Sequence, residues 1–471
     1  MIGRKEEIAI IEDCLNSGRP EFIALYGRRR VGKTYLVREY FNDTFSFYAT
    51  GVPRVNTRKQ LKVLHEALTQ YGDENRAIPK DWFEAFSRIR KILEQPEVAR
   101  EPKTGRRVVF LDELPWMDTT KSDFKSALDY FWNSYGSAQK DLLLIVCGSA
   151  TPWIINHIVK DTGGFYNRVT RQIHLMPFCL EECRQLLSLN GMQLTDRQIV
   201  ESHMVFGGIP YYLNYLKPSM SLAQNVETLF FGENAPLAPE FERLFSSLFL
   251  RAEHYTGIAR ALSRKNSGLT RQELLQTKGI VQGKELTKCL NELEQCGFIR
   301  KYRDYTHEKN GCHYQLIDPL SLFHFSFLES GRIVSWMDYI NTPGYYNWRG
   351  LAFERVCLLH LKQIKSALGI SGISTQAFSW VAKKHSPGAQ IDLLIDRKDD
   401  VINLCEMKYA EKEFEIDAAY EKELINKIEV FRNETGTKKA VHLTMISFAG
   451  VKNNQYKGIV VNELTGTDLF R

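Results

Sequence analysis

Residues 27–34 constrain this chain more than any other segment. They read Gly-Arg-Arg-Arg-Val-Gly-Lys-Thr, a phosphate-binding loop of the pattern G-x-x-x-x-G-K-[ST]. The apolar run 22–26 predicts a buried strand that enters the loop, and residues 35–41 predict a helix that leaves it. A loop in this setting directs backbone N–H groups and the positive end of a helix at a polyphosphate. The sequence therefore predicts an α/β domain with a nucleotide site.

Each residue of this loop is assigned to ATP binding, and Mg²⁺ is expected with the nucleotide. Lys33 is expected to reach the β- and γ-phosphates, and Thr34 is expected to hold Mg²⁺. The alternative is an ordinary glycine turn with a surface lysine, which the flanking strand and helix disfavour. The predicted nucleotide-binding residues of the loop are Gly27, Arg28, Arg29, Arg30, Val31, Gly32, Lys33 and Thr34.

Two further strands carry polar residues where they end. The apolar run 108–111 precedes Asp112 and Glu113, and the run 142–147 precedes Gly148 and Ser149. Ligands of open α/β sheets bind at the carboxyl ends of the strands. We expect Asp112 to hold Mg²⁺ through its water shell and Glu113 to polarise the attacking water. Ser149 is interpreted as a sensor of the γ-phosphate, although a Gly-Ser pair after a strand is often only a turn.

Several motifs, in order over residues 1 to about 236, resemble the archaeal-type ATPases of the STAND class, which are relatives of the AAA+ proteins. Residues 2–7 resemble the start of that family, and residues 163–168 and 175–178 resemble its arginine motif and its Leu-x-Pro-Phe element. Residues 207–210 resemble its Gly-x-Pro lid motif, which implies that Pro210 packs near the nucleotide base. By resemblance, Arg168 supplies positive charge to the γ-phosphate. A structural salt bridge is the equal alternative for Arg168.

Composition sets the remaining limits on the class of protein. The chain has 471 residues, which suggests about three domains, and a net charge of +6, which permits a nucleic-acid partner without requiring one. Its nine cysteines form no C-x-x-C pair, so reduced cysteines in a cytoplasmic protein are expected. No apolar run is long enough for a membrane span. The polar insertion 51–105, between the two nucleotide motifs, has no predicted role.

The middle region, residues 237–341, is expected to contain a winged helix-turn-helix. Residues 270–273 have the spacing of a capping box, and a helix from 284 to 296 places leucines on one face. One interpretation is DNA contact by basic residues of this module. The alternative is an interdomain packing module with a solvated face, which the modest basic excess favours slightly. The residues assigned to DNA contact are Lys284, Lys288, Arg300, Lys301 and Arg303.

The C-terminal region, residues 342–471, carries a second set of candidate catalytic residues. Asp392 lies early in a predicted strand 390–395, and the next strand ends in Glu406-Met407-Lys408. Alternation along a strand places Glu406 and Lys408 on the same face. Two carboxylates and a lysine can hold a divalent metal and activate a water. With Glu354 on a preceding helix, predicted to begin after an aromatic link 344–348, this pattern resembles the PD-(D/E)XK nuclease fold. A surface salt bridge between Glu406 and Lys408 is the alternative.

The predicted fold class is α/β: a P-loop ATPase with a helical lid over residues 1–236, a winged helix over 237–341 and a PD-(D/E)XK-like domain over 342–471. The leading interpretation is an enzyme that hydrolyses ATP and couples it to DNA binding or to metal-dependent DNA cleavage, with Asp392 and Glu406 as metal ligands. The alternative is an ATP-dependent regulatory switch whose nuclease-like domain is inactive and binds partners. A homo-oligomer is compatible with either interpretation, since Arg168 can act in its own subunit or in a neighbouring one.

Overall fold

The computed structural model describes residues 1–160, 167–305, 312–382 and 388–471. The chain divides into two units, Met1–Pro177 and Phe178–Arg471. The first holds the phosphate-binding loop, and the second holds everything from the predicted lid onward. The predicted boundaries at residues 236 and 341 remain predictions.

The first unit is built on a parallel five-stranded sheet with the strand order β2-β3-β4-β1-β5. Its strands are β1 Glu21–Tyr26, β2 Phe47–Thr50, β3 Arg107–Asp112, β4 Leu142–Gly148 and β5 Arg171–His174. Its helices are α1 Lys5–Asn16, α2 Lys33–Tyr40, α3 Thr57–Gln70, α4 Trp82–Leu93, α5 Leu114–Met117, α6 Phe124–Ser134 and α7 Thr151–Ile154. The predicted α/β fold is confirmed, and all pairings between these strands are parallel.

The central strands of this sheet are covered on both faces. Every residue of β1, β3 and β4 is buried, as expected for continuous apolar runs in a parallel sheet. Because parallel strands end at one edge, the order β3-β4-β1 brings the ends of all three strands together. Asp112 is the last residue of β3, and the phosphate-binding loop and Ser149 follow β1 and β4, so all three lie at that edge.

The insertion 51–105 is part of the core of this unit. Helices α3 and α4 bury Leu64 and Phe86 in the same apolar cluster as Leu144 of β4. The buried Gln60 joins α3 to the segment after β2 and to α5, because its Nε2 donates to the carbonyls of Val52 and Trp116, each at 2.6 Å. The polar composition of this segment belongs to the outer faces of two amphipathic helices.

The second unit begins with helices and ends with a mixed sheet. Its helices are α8 Leu180–Leu189, α9 Asp196–Phe206, α10 Pro210–Leu213, α11 Leu222–Val226, α12 Glu240–Leu248, α13 Ala252–Ser263, α14 Arg271–Gln276, α15 Gly283–Gln295, α16 Pro319–Phe323, α17 Trp336–Tyr339, α18 Pro343–Leu359, α19 Leu361–Ala367 and α20 Ala418–Thr435. Its strands are β6 Leu269–Thr270, β7 Ile299–Arg303, β8 Cys312–Leu316, β9 Thr375–Val381, β10 Gln390–Arg397, β11 Val401–Lys408, β12 Ala440–Ser447 and β13 Asn462–Leu464.

Helices α14 and α15 lie next to a three-stranded sheet of order β6-β8-β7. The capping box at Thr270 and Glu273 forms as predicted, with the Thr270 hydroxyl accepting from the Glu273 N–H. Leu286, Leu290 and Leu293 of α15 are buried. These residues pack with α12 and α13 into one apolar cluster.

The C-terminal sheet has the order β13-β12-β11-β10-β9. Strands β9, β10 and β11 pair antiparallel, whereas β11, β12 and β13 pair parallel. The helix before this sheet differs from its prediction. Residues 344–348, expected to be a link, form the first turns of α18, because the Thr342 hydroxyl caps that helix and Pro343 occupies its first position.

Two expectations about the whole chain can be compared with the described residues. All nine cysteines lie within them, and none is joined in a disulfide. Among the helices of the described ranges, none is both long enough and apolar enough to cross a bilayer.

Candidate functional sites

The phosphate-binding loop closes tightly between β1 and α2. Gly27 has φ +152°, and a Cβ there would lie 2.3 Å from the Leu175 carbonyl oxygen, so only glycine fits. Gly32 has φ +92° and precedes α2 directly. The buried Lys33 donates from Nζ to the carbonyls of Gly27 at 3.0 Å and Arg28 at 2.9 Å. Its ammonium group therefore lies against the loop.

The two predicted Mg²⁺-holding residues are in direct contact. The Thr34 hydroxyl donates to Asp112 Oδ2 at 2.7 Å, although 78 residues separate them in sequence. Burial raises the pKa of Asp112 and the nearby Glu113 raises it further, while the hydrogen bond from Thr34 opposes both effects. A hydroxyl and a carboxylate at this spacing are oxygen ligands of the kind that Mg²⁺ takes up directly or through water.

Glu113 is held by Ser149. The Ser149 hydroxyl donates to Glu113 Oε1 at 2.5 Å, and its backbone N–H lies 3.4 Å from Oε2. Glu113 has a left-handed backbone with φ +46°, uncommon for a residue with a side chain. Gly51 lies so close that a Cβ there would come within 2.5 Å of the Glu113 carbonyl oxygen. The predicted sensor and the predicted water-polarising residue thus form one unit.

The remaining predicted nucleotide residues differ in exposure. Arg28 and Val31 are buried, Arg29 is exposed, and Arg30 is half-buried with φ +72°. Arg168 is exposed in a turn that follows residues 161–166, so the first part of the predicted arginine motif lies outside the described residues. Pro210 begins α10 in the second unit. The roles of Arg168 and Pro210 stay predictions.

Arg4 has a contact that the reasoning from single residues missed. Its guanidinium is buried, donating from Nη2 to the Val31 carbonyl at 2.9 Å and from Nη1 to the Met176 carbonyl at 2.8 Å. It therefore ties the phosphate-binding loop to the segment after β5. The sequence indicated only that Arg4 belongs to the family motif of residues 2–7. It did not indicate which groups the Arg4 side chain contacts.

A second cluster forms around β10 and β11 in the second unit. Their register pairs Leu393 with Cys405, so Asp392 and Glu406 are the next positions along the two strands, where β10 has a register shift against β9 between Ile391 and Leu394. Burial, together with Asp392, raises the pKa of Glu354 to about 7, and Lys408 acts in the opposite direction. The four predicted C-terminal residues are thus close enough to influence one another.

Glu406 has more partners than the sequence suggested. Its Oε1 accepts from the Tyr420 hydroxyl at 2.7 Å and lies 3.1 Å from Lys408 Nζ, and its Oε2 lies 3.0 Å from Lys427 Nζ. Although burial alone would raise it, Lys427 and Lys408 hold the pKa of Glu406 below its ordinary value. Tyr420 and Lys427 were missed. They lie two turns apart on α20, a spacing that places them on one helix face.

Arg300 is not on the exposed basic face to which the sequence assigned it. Its Nε donates to Gln315 Oε1 at 2.5 Å, and its Nη2 contacts the Ser379 hydroxyl at 3.2 Å and the Asp392 carbonyl at 3.4 Å. Burial lowers the pKa of Arg300 to about 10. Alternation along β7 explains the difference, since Lys301 and Arg303 are exposed. Arg300 therefore joins β7 to the C-terminal sheet.

The comparisons with known proteins concern mainly the first part of the chain. Residues 1–216 match the family described as an ATPase domain predominantly from Archaea. An uncharacterized ATP-binding protein of Methanocaldococcus jannaschii is 43% identical over 42 residues, which are 9% of this chain and 71% of that protein. An uncharacterized protein of the same organism is 22% identical over 218 residues. That match spans 46% of this chain and 44% of the relative's length.

Two solved structures resemble the chain at low identity. The Walker-type ATPase of Pyrococcus abyssi has a TM-score of 0.46 and 18% identity, and the match covers 69% of this chain and 96% of that one. The ORC2 protein of Aeropyrum pernix, in ADPNP–ADP complexes, has a TM-score of 0.46 and 16% identity, with 72% and 93% covered. We base the assignment on the family match and on the sheet-edge site. Residues 1–216 contain the phosphate-binding loop and match an ATPase domain of a family found predominantly in Archaea, so this part of the chain is a P-loop ATPase domain.

Proposed function

We propose that this ATPase uses its nucleotide state to control a metal-dependent site that cleaves DNA. The observation that carries the proposal is that Asp392, Glu406 and Lys408 lie near enough to Glu354 for the two carboxylates to raise its pKa and for the lysine to lower it. An acid whose pKa is raised toward neutrality by burial and neighbouring charge is typical of a catalytic site.

Each group has a chemical role in this proposal. Asp392 and Glu406 would hold Mg²⁺ through their carboxylate oxygens, and a bound ion would supply a water of lowered pKa for attack on a phosphodiester. Lys408 neutralises the negative charge that develops on the phosphate in the transition state. Glu354, with a pKa of about 7, is placed to exchange a proton with water at neutral pH.

The strand pattern around the cluster supports the assignment to a PD-(D/E)XK-like domain. A helix carrying Glu354 precedes three antiparallel strands, and α20 then leads to a strand that pairs parallel to β11. The candidate residues come from the helix and from the second and third of these strands. The same arrangement is implied by the resemblance of the sequence to that fold.

A winged helix-turn-helix formed by α14, α15 and the sheet of β6, β7 and β8 is proposed to hold the DNA. Lys284 and Lys288 of α15 are exposed, as are Lys301 and Arg303 of β7. Exposed cations on a helix and an adjoining strand are suited to phosphate contacts. DNA bound here would lie against the module that Arg300 joins to the Asp392 strand.

A cleavage assay on the full chain tests the proposal. Supercoiled and linear DNA are incubated with Mg²⁺ or Mn²⁺, with and without ATP, using the wild type, Asp392→Asn and Glu406→Gln. We expect metal-dependent nicking by the wild type alone, with ATP hydrolysis unchanged in both variants. Cleavage that survives in both variants would exclude this cluster as the source.

One observation favours a second function. Both oxygens of Glu406 already have cationic or hydroxyl partners in Lys408, Lys427 and Tyr420. A carboxylate satisfied in this way needs no metal, which suits a regulatory switch whose C-terminal domain binds DNA or a protein without cutting it. Metal titration distinguishes the two functions, because the switch predicts no Mn²⁺ binding that depends on Asp392 and Glu406.

A further inference from the structure

Helices α13 and α15 bring together three side chains that belong to neither candidate site. His254 is on α13, and Glu285 and Cys289 are one turn apart on α15. One ligand atom of each lies within 4.8 Å of the others. Across the described ranges, no other group of three histidine, cysteine or acidic residues meets this condition. The group of Glu354, Asp392 and Glu406 does not meet it either.

The spacing fits a tetrahedral metal centre. His254 Nδ1 lies 3.6 Å from Glu285 Oε1, too far for a hydrogen bond. Bonds of about 2.0–2.3 Å in tetrahedral geometry separate neighbouring ligand atoms by about 3.3–3.6 Å. Two residues one helical turn apart project from the same face, so Glu285 and Cys289 can bind one ion.

His254 has an unused ligand atom at this position. Its Nδ1 is buried and has no hydrogen-bond partner among the described residues. An unpartnered buried ring nitrogen is costly unless something binds it. Cys289 is fully buried beside it, while the His254 and Glu285 side chains are 22% and 36% exposed. The cluster is therefore closed on its sulfur side and open to water on the other.

We propose that His254, Glu285 and Cys289 bind a transition-metal ion, with Zn²⁺ as the fitting ion and water in the fourth position. Imidazole, thiolate and carboxylate are all zinc ligands, whereas Mg²⁺ and Ca²⁺ prefer oxygen alone. On binding, the Cys289 S–H bond breaks, its proton passes to solvent, and the sulfur lone pair forms the metal bond.

Such an ion would fasten α13 to α15, the helix that carries Lys284 and Lys288 on its exposed face. Sequence spacing gave no sign of the site. Its ligands are of three kinds and come from two helices, and Cys289 has no second cysteine at a zinc-binding spacing.

Cobalt titration of the full chain, stripped of metal with a chelator, tests the proposal. Co²⁺ bound through a thiolate gives a sulfur-to-cobalt charge-transfer band, and its visible bands report tetrahedral geometry. We expect one equivalent of Co²⁺ to produce both, and Zn²⁺ to abolish them by displacement. Cys289→Ser should remove the charge-transfer band. His254→Gln and Glu285→Gln should each weaken binding by at least about a hundredfold, since loss of even an outer partner costs 10–100-fold.

The matched controls are Cys312→Ser and Glu253→Gln, because Cys312 is only partly buried and Glu253 is exposed next to His254. Both should bind Co²⁺ like the wild type. A wild type without the band, a band that persists in Cys289→Ser, or unchanged affinity in His254→Gln would overturn the proposal. His254→Gln keeps the test decisive if replacing the buried Cys289 impairs folding.

Discussion

The Ser149 hydroxyl donates a hydrogen bond of 2.5 Å to Glu113 Oε1, which joins the predicted γ-phosphate sensor to the predicted water-polarising residue. The pairing links the end of β4 to the end of β3 at the sheet edge that the phosphate-binding loop shares. A carboxylate that polarises water must be oriented, and Ser149 contacts both of its oxygens. Any shift of Ser149 toward a γ-phosphate would release Glu113.

Replacing Glu113 by Gln should leave ATP binding intact and slow hydrolysis on the order of a hundredfold, because the amide cannot take up a proton from the attacking water. Ser149→Ala should slow hydrolysis by about tenfold, since one orienting hydrogen bond is worth about 1–1.5 kcal/mol. Single-turnover hydrolysis and nucleotide affinity are the measurements.

The double variant should be no slower than Glu113→Gln alone, because residues that act as a unit are not additive. Additive losses in this cycle would mean that Ser149 acts on the nucleotide separately from Glu113. Wild-type hydrolysis by Glu113→Gln would place the water-polarising residue elsewhere.

Lys33→Ala should abolish nucleotide binding. Lys33 Nζ lies against the loop carbonyls of Gly27 and Arg28, and no other lysine belongs to the phosphate-binding loop. Fluorescent-nucleotide titration measures the loss. The exposed Lys59 of α3 provides the control, and Lys59→Ala should bind like the wild type. Retained affinity in Lys33→Ala would contradict the assignment of the loop.

The fold of the first unit was predictable because its signals are local. The strand before the loop, the loop itself and the strand ending in Asp112 are short motifs with fixed spacing. What the sequence could not give are contacts between distant segments. Arg4 reaches Val31, and Ser149 reaches Glu113, through the order of strands in the sheet, which no local pattern encodes.

The candidate C-terminal cluster shows the same division. Asp392, Glu406 and Lys408 could be chosen from strand alternation, whereas Lys427 and Tyr420 depend on how α20 packs against β11. Residues 344–348 were misassigned because aromatic and glycine content suggested a link, and the Thr342–Pro343 helix start was overlooked. Arg300 was misassigned because the basic side chains of residues 300–303 were expected to share one exposed face. Successive side chains of a strand point to opposite faces, so Arg300 points away from the face of Lys301.

Acid should destabilise the second unit through His360. This buried imidazole accepts from the Leu180 N–H at 3.1 Å, bonds the Val356 carbonyl at 2.7 Å and faces His203. Burial lowers the pKa of His360 to about 4, from 6.5. The neutral ring therefore contributes stability that is complete above pH 6.5 and is lost as the pH falls toward 4. Between pH 7 and pH 5 the loss should be about 2 kcal/mol.

Urea unfolding at the two pH values measures this effect. Between pH 7 and pH 5, the free energy of unfolding should fall in the wild type by about 2 kcal/mol more than in His360→Gln. The variant has no imidazole at this position that takes up a proton when the chain unfolds. His442→Gln, at a partly buried strand position, is the control and should follow the wild type. An equal pH dependence in His360→Gln would contradict the buried neutral state.

DNA binding, if it uses α15, should depend on Lys284 and Lys288 more than on Arg300. The two lysines are exposed, whereas Arg300 is occupied by Gln315 and Ser379. Replacing both lysines by Ala should weaken binding to every DNA sequence and lower the salt slope by about 2, one for each phosphate contact. Affinity measured against salt concentration gives the slope. An unchanged slope would place the DNA elsewhere and favour the packing interpretation of this module.

Lys427 decides between the two functions proposed for the C-terminal cluster. Its ammonium lies 3.0 Å from Glu406 Oε2, the position from which a metal ion would have to displace it. If Glu406 is a metal ligand, Lys427→Met should raise Mn²⁺ affinity by about tenfold or more, since a competing charge at that distance is worth more than 1 kcal/mol at the dielectric of a protein surface. Calorimetric Mn²⁺ titration measures the change.

Lys422→Met, at an exposed position of the same helix, should leave the Mn²⁺ affinity unchanged. Glu406 keeps Lys408 and Tyr420 as partners in the Lys427 variant, so its charge is not left unpaired and the fold should persist. Tighter Mn²⁺ binding that is lost again in the Lys427→Met, Asp392→Asn double variant would identify a metal site that Lys427 restrains. No Mn²⁺ binding in either the wild type or Lys427→Met would instead mean that Lys427 is a permanent structural counter-ion, which leaves the regulatory switch as the function of this domain.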